Sequence, residues 1–545
     1  MKNLKNVSTL SVPSGTGGDG CPWHRLKWAS AEIWQEVAIA VLTVVVLRFI
    51  FIYFFALYQK NQRPGQVRCW PIVGSTMTLN ANMNGLHDFL AELHEKNEVV
   101  WITYPFGLDG LYITDPASTE HMLKINFPNY PKGDEIQLRM RELLGHGIFA
   151  ADGQEWKDTR KVASFQFSSA ILRNFSADVF REGAIVLSRI VSQFAQSRLP
   201  MDMQNLFMRL TLDTTCKVGL GVELGCLSPS LPDVPFAKHF DLANELSFSR
   251  YLDPLWKFKK FLNIGNEKCL RKCVEGVDAF SYNIINQRRI DLEACKKDGS
   301  KVRPDLLSRF MSVLENSDEV FSDKVLRDHV VNFIIAGRDT SAVTLSWFIY
   351  MLCLNPEVAE KIFEEVTCLE QNESSPYNAE REDDPFIRFA EVLTFYNVGK
   401  LQYLHAALTE TLRLYPPVHL DGKVADKDDV FPNGVKVKKG YLITYNAYAM
   451  GRLERIWGPD AKQYKPERWL KDGIFHQESP FKFVSFHAGN RQCLGKESAY
   501  LQMKMTAALL IRFFKFELVP DQNIQPRLMF VLTMKEGVQV IATPR

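Results

Sequence analysis

Ten cysteines are spread through the chain, at positions 21, 69, 216, 226, 269, 273, 295, 353, 368 and 493. One of them stands in a loop unlike the others. The segment FHAGNRQCLGKES, Phe486 to Ser498, sets Cys493 between Gly489 and Gly495, with Arg491 just before it. An apolar helical run, LGKESAYLQMKMTAALLIRFF, follows directly. The thiolate is the nucleophilic and metal-ligating form of cysteine, and a helix N-terminus and nearby cations favour it. The two glycines predict a tight turn and a close approach of backbone to a flat ligand. Phe486 supplies an aromatic wall. A buried inert thiol accounts for the cysteine but not for the loop around it.

Two predicted helices carry further polar residues in unusual places. The first opens at Ser322-Asp323, which are good capping residues. It runs through KVLRDHVVNFIIAGRDTSAVTLSWFIYMLCL and stops before Asn355-Pro356. Its middle is apolar nearly all round, which predicts burial through the centre of the molecule. That middle nevertheless contains AGRDT, Ala336 to Thr340, and a glycine, a charge pair and a hydroxyl are each costly inside a buried helix. Either the segment is a packing kink with Arg338 at the surface, or something polar and reactive lies against it. The second helix, KLQYLHAALTETLRLYPP, places Glu410 and Arg413 on one face, where they can pair. Taken alone they read as an ordinary surface ion pair. KPERW, Lys465 to Trp469, adds Arg468 downstream. Cys269 and Cys273 share a helix face, but a zinc site needs more ligands than these two, and no C-x-x-C pair occurs.

The remaining elements must position these groups. The chain has 545 residues, of which 46% are hydrophobic, 23% charged and 12% aromatic, the make-up of a protein with a large core. A formal charge of +2 provides no global field to recruit nucleic acid. The dispersed thiols argue against a disulfide framework. Helical periodicity dominates. Short strands are expected at WITYP, GLYITD, GVKVKKGYLITYN and GVQVIA, where β-branched and aromatic residues lie near glycines. EQNESSPYNAEREDDP, Glu370 to Pro385, reads as an acidic surface loop. Val37 to Tyr58, VAIAVLTVVVLRFIFIYFFALY, matches the roughly 20 residues a membrane helix needs. Arg48 within it costs about 2.5–3.5 kcal/mol on insertion scales, which the apolar flanks can offset. The rival readings are a cleavable signal peptide, whose apolar core should be shorter and nearer the start, and a buried helix. The expected organisation is a tail over 1–36, an anchor over 37–58, a Pro/Gly hinge over 59–75 and one large, mainly α domain over 76–545. Lysine and arginine flank the span on both sides, so the positive-inside rule does not orient it.

At this point the chain resembles the cytochrome P-450 monooxygenases. F-x-x-G-x-R-x-C-x-G is their haem loop, present as Phe486, Gly489, Arg491, Cys493 and Gly495. AGRDT matches their oxygen-activation motif, Glu410, Arg413 and Arg468 their charge triad, and WKDTR, Trp156 to Arg160, the W-x-x-x-R of a propionate-binding helix. The resemblance runs from the anchor to the C-terminus. It implies the P-450 fold: a large helical haem-thiolate domain with a minor β part, behind one transmembrane helix. It further implies haem b ligated by Cys493, with propionates held by Arg491, Trp156 and Arg160, for which an arginine fork is suited. Ala336 and Gly337 would open the helix for dioxygen. Thr340 and Asp339 would deliver protons during oxygen activation. Glu410, Arg413 and Arg468 would be structural. Electrons would come from NADPH through NADPH–cytochrome P-450 reductase. The implied location is the endoplasmic reticulum membrane, single-pass, with the catalytic domain cytosolic and Asn6-Val7-Ser8 a glycosylation sequon in a lumenal tail.

Several longer stretches, among them NYPKGDE, LLGHGIFAADGQEWKDTRKVASFQFS and DPLWKFKKFLNIG, resemble the plant fatty-acid omega-hydroxylase clan, in its long-chain branch tied to cutin and spore- or pollen-wall precursors. The implied substrate channel takes Phe333 and Ala336 from the long helix, His146 and Phe149 from HGIF, Val418 from PVHL and Leu532 from VLTM. His146 departs from the aspartate usual in LLGDGIF. The alternatives are a P-450 acting in-chain or on another lipophilic substrate, and a non-catalytic haem-thiolate sensor, which would not need Thr340. A hydroperoxide-rearranging relative would lack the acid–threonine pair. A cysteine hydrolase would need Cys493 and His487 to meet.

Overall fold

The computed structural model describes residues 22–167, 170–299, 305–315, 323–373 and 384–545. Met1, Asn6, the capping Ser322 and most of the acidic stretch before Pro385 lie outside them. The chain divides into two compact units, one ending at Gln62 and one covering Arg63–Arg545.

The first unit is helix α1 (Pro22–Asn61). Within it Ile33–Asn61 is long and apolar enough to cross a membrane, with a mean hydropathy of 2.6. The helix extends further on both sides than the apolar run, because its flanks, PWHRLKWASAE and QKN, carry no proline or glycine inside to stop it.

In the second unit, strands β1 (Val99–Thr103) and β2 (Asp109–Ile113) form a hairpin in which Val99 faces Ile113. Helices α2 (Gly133–Leu144), α3 (Gly153–Phe167), α4 (Met203–Thr215) and α5 (Pro235–Ser249) follow. Next comes the long helix α6 (Asp323–Leu354), then α7 (Gln402–Leu414). Strands β3 (Leu420–Val424) and β4 (Leu442–Asn446) complete a four-stranded sheet of order β1-β2-β4-β3. Its β2–β4 pairing is parallel, with Gly110 opposite Leu442. Helix α8 (Lys496–Phe513) leads into a three-stranded sheet that joins Phe514–Leu518, Gln539–Pro544 and Met201–Asp202. Strands appear at or near the four expected stretches, while Leu420–Val424, Phe514–Leu518 and Met201–Asp202 are not expected from the sequence.

The segment read as a hinge is built into the domain from its middle onward. Trp101 N–H donates to Gly65 O, Val67 N–H to Trp101 O and Ser75 N–H to Thr103 O, so 65–75 lines the edge of β1. Val67, Cys69 and Ser75 are buried. The turn residues here serve packing rather than flexibility.

Helix α6 runs through the core. It packs against α4, α7 and α8. Trp347, Phe348, Leu404, Leu408, Met503 and Leu509 are each at most 2% exposed in one cluster. Burying a side chain of this size stabilises by roughly 1.5–3 kcal/mol, so this cluster anchors the helices that carry the polar motifs.

Candidate active site

The cysteine loop is shaped by contacts on both sides. Gly489 adopts φ +63°, and a Cβ there would lie 2.1 Å from Leu123 O. No side chain fits between the loop and the segment His121–Ile125. Gly495 plays a different part from the one expected. It has φ −92°, a value open to any residue, and caps the N-terminus of α8. Cys493 N–H donates to Phe486 O at 2.9 Å, which closes the loop. The Phe486 ring lies 5.1 Å from that of Tyr500 on α8.

Cys493 retains accessible surface although burial pushes its thiol pKa up. The Gly495 N–H and the cations Arg160 and Lys496 oppose that rise. Arg491 does not act on the sulfur. It donates to Asp152 Oδ1 at 2.7 Å and Ala151 O at 2.8 Å, and its guanidinium sits 4.6 Å above the Trp156 ring. Arg160, one turn along α3, donates to Gln492 O at 2.6 Å. Trp156, Arg160, Arg491 and Cys493 thus belong to one cluster.

Three charged groups that sequence reasoning missed, Asp421, Lys132 and Lys423, complete this region. Asp421 on β3 is flanked by Lys132 and Lys423, the latter at 3.1 Å, and by His487 at 3.3 Å. The surrounding cations hold its carboxyl well below the usual range, while burial beside Lys132 and Arg491 pushes the Lys423 ammonium down. Only the adjacency of Lys423 to an apolar strand could have signalled it. Because His487 is committed to Asp421 and lies edge-on to Tyr445, the arrangement does not supply the base a cysteine hydrolase needs.

On α6 the backbone widens into a π turn at Ile335–Asp339, a feature that disrupts the regular ladder and recurs at functional sites. Thr340 Oγ1 donates to Ala336 O at 2.7 Å, where the turn loosens the helix. Ala336 is exposed in a helix otherwise buried on nearly every side, so it borders interior open space. Gly337 does not. A Cβ there would lie 2.6 Å from Thr215 Oγ1 on α4; its missing side chain lets two helices touch. Arg338 is not at the surface either. It is 2% exposed and donates to Asp241 on α5 at 2.6 Å and to Asp339 at 2.9 Å. Asp339 also accepts a long bond from Asn244, at 3.5 Å. The acid and the threonine are therefore engaged by different partners. Burial and the neighbouring Asp241 push the Asp339 carboxyl up to about 7, against the pull of Arg338.

Glu410 and Arg413 are no surface pair. Both are essentially inaccessible, joined by two bonds of 2.7 Å. Trp469 Nε1 and Lys465 N–H also donate to Glu410, at 2.8 and 3.0 Å. Arg413 reaches the carbonyls of Gly451, Ala461 and Gln463. Arg468 lies 3.4 Å from Glu410 and 2.9 Å from Asp460. Every lone pair and proton finds a partner, which is the condition for a buried ion pair to hold a fold together.

The expected channel residues separate into two groups. Ala336, Phe149 and Val418 have open surface, with Phe149 at 40% and Val418 at 37%. Of the others, only Leu532 has no accessible surface; the His146 side chain keeps 39% of its own and Phe333 is half-buried. Leu532 is fully buried, with its carbonyl accepting from Trp347 Nε1. Phe333 packs edge-on to Phe310 at 5.5 Å. The His146 ring turns to Arg141, at 2.9 Å, and Glu155, at 3.6 Å.

A helical core crossed by a helix with a π turn, together with a cysteine loop that has Arg160 and Lys496 nearby, fits a haem-thiolate protein. The family model for cytochrome P450 matches residues 64–542, and the chain belongs to that family and is a monooxygenase by membership. It is 45% identical to cytochrome P450 704B1 of Arabidopsis thaliana, over 93% of this chain and 99% of that protein. It is 44% identical to cytochrome P450 704C1 of Pinus taeda, over 92% and 98%. It is also 40% identical to cytochrome P450 86B1 of Arabidopsis thaliana, over 92% and 89%.

The family implies haem and dioxygen, and the residues present fit a haem. Arg491 Nε is a buried donor without a hydrogen-bond partner, as an anionic propionate would require. Cys493 presents a soft ligand with open surface. Arg160, Arg491 and Trp156, joined by Lys132 and Lys423, could hold such a group. The aliphatic and aromatic surroundings would cover its faces.

Proposed function

We propose that the chain hydroxylates long-chain fatty acids, mainly at the omega carbon. The supporting observation is the chemistry of the accessible residues among those expected in the channel: Ala336, Phe149 and Val418 are apolar, which suits an alkyl chain better than a polyol or peptide. The relatives point the same way by family grouping. A terminal methyl has a stronger C–H bond than its neighbours, so omega selectivity requires walls that admit only the chain end.

Bound haem would supply the oxygen-activating chemistry. Cys493 would ligate its iron through sulfur, and Arg491, Trp156 and Arg160 would hold its propionates. Ala336 would leave space above it for dioxygen. Thr340, whose hydroxyl now satisfies the Ala336 carbonyl, would exchange that bond for one to water and pass protons inward. Asp339 would act from the other side of α6, under the control of Arg338. Glu410, Arg413 and Arg468 would hold the loops beneath the cofactor.

NADPH–cytochrome P-450 reductase would be the electron donor. The apolar helix α1 would anchor the chain in the endoplasmic reticulum membrane with the catalytic domain in the cytosol. The product would serve as a precursor of cutin or of spore- or pollen-wall polymers. Expression with a plant reductase, feeding of free fatty acids of graded length and mass spectrometry of the products test the reading. Omega-alcohols from long-chain acids are expected, and none from Cys493→Ser. Chiefly mid-chain alcohols, or oxidation of a sterol or terpenoid with fatty acids ignored, would overturn it.

A further inference from the structure

Ile72 and Phe106 are large apolar residues with open surface, at 66% and 80% exposed. They stand side by side, because Phe106 N–H donates to Ile72 O at 2.9 Å. Ile72 lies in the turn Trp70–Gly74 at the edge of β1, and Phe106 in the turn that joins β1 to β2. The short helix Thr76–Ala81 follows and carries Met77, 55% exposed. Neighbouring exposed apolar residues of this size mark an interaction surface.

Both residues adopt the left-handed backbone conformation, at φ +63° and +64°. That region suits glycine, and a β-branched or bulky residue in it is strained. The turn itself is set by packing: a Cβ on Gly74 would lie 2.1 Å from Thr103 O. Glycine at 72 or 106 would make the same turns with less strain. Neither side chain fills the core, so what the strained residues add is apolar surface held outside the domain.

The surroundings indicate what that surface meets. Two tryptophans lie close in the fold, Trp70 in the same turn as Ile72 and Trp101 on β1. The Arg68 guanidinium sits 4.6 Å from the Trp70 ring, and that of Arg63 5.2 Å from the Trp101 ring. Tryptophan and arginine settle at the headgroup level of a bilayer, with purely apolar groups deeper. An 80% exposed ring protrudes and offers no groove to a peptide. Ile72 also follows Asn61, the end of the apolar span, by eleven residues.

We propose that Ile72 and Phe106 enter the acyl edge of a phospholipid bilayer, with Trp70 and Trp101 at headgroup level. This rests on the reading of α1 as a membrane anchor and adds a second contact, carried by the domain itself. A single helix leaves a domain free to turn; a second contact restricts which side faces the lipid.

The test is photocrosslinking of the haem-loaded, full-length protein in phosphatidylcholine vesicles, with benzoylphenylalanine placed at Phe106 or, for comparison, at Tyr396. Tyr396 is 82% exposed and belongs to the helix Phe395–Lys400, which packs on α8. Mass spectrometry should find several-fold more lipid adduct at 106 than at 396. Benzoylphenylalanine at Met77 should behave like that at 106, and serves if the variant at Phe106 folds poorly. Equal lipid labelling at 106 and 396 would overturn the proposal and leave the anchor standing. So would adducts at 106 that join two copies of the chain in place of lipid. Failure of the protein to float with the vesicles would overturn the anchor reading and this contact together.

Discussion

The buried Arg338 on α6 pairs with the partly exposed Asp241 on α5, Nη1 2.6 Å from Oδ1, and the same guanidinium holds the buried Asp339. One cation thus ties the π turn to a neighbouring helix and balances two carboxylates. This makes the widened turn a point of electrostatic control and not only a gap in the helix.

The Asp339 carboxyl, raised to about 7 by burial, gives the first prediction. A raised carboxyl pKa favours the folded state below the ordinary aspartate value and loses that contribution as pH climbs through the folded value. Wild-type stability should therefore fall between about pH 4 and about pH 7 by an amount that Asp339→Asn removes. Denaturant midpoints across that range measure it. Parallel profiles for the two proteins would refute the assignment.

Thr340→Ala should fold normally, since one hydroxyl bond to Ala336 O is worth only about 1 kcal/mol. Turnover should instead become uncoupled, with NADPH consumed and hydrogen peroxide released in place of alcohol. The ratio of product to NADPH is the measurement, and an unchanged ratio would assign proton delivery to another group.

Glu410→Gln removes the charge that answers Arg413 where both are inaccessible. Breaking one partner of such a pair costs about 3–5 kcal/mol, so the variant should fail to accumulate as folded protein or should unfold well below the wild type in a thermal scan. Arg413→Lys should be nearly as damaging, because an ammonium cannot reach Glu410 and three carbonyls together. A stability within about 1 kcal/mol of wild type would contradict the buried geometry.

Gly337→Ala places a methyl 2.6 Å from Thr215 Oγ1. Overpacking of this kind costs about 1–3 kcal/mol. Thr215→Ala removes the Oγ1 and the Cγ2 but keeps a Cβ at 3.3 Å. The double variant should recover most of the loss. Equilibrium unfolding of all four proteins tests the contact, and strictly additive effects would mean the two residues do not touch.

Much of this protein is determined by sequence at short range. A thiolate loop needs its glycine, arginine and cysteine within a few positions, and W-x-x-x-R, E-x-x-R and the apolar span are equally local, so residue type and spacing reveal them. Helical periodicity likewise places α6 and α7, and β-branched and aromatic residues near glycines mark β1, β2, β4 and Gln539–Pro544, whereas β3 and Phe514–Leu518 carry no such local signal. The tertiary structure alone decided what those groups meet. Arg338 reads as a surface charge until α5 brings in Asp241, 97 positions away. Gly337 reads as space for dioxygen until α4 fills it with Thr215. Lys132 and Lys423 join the haem-side cluster, and Leu532 leaves the channel, through packing that no local pattern encodes. Pairing and burial depend on which distant surface arrives, and the sum of all the contacts settles that.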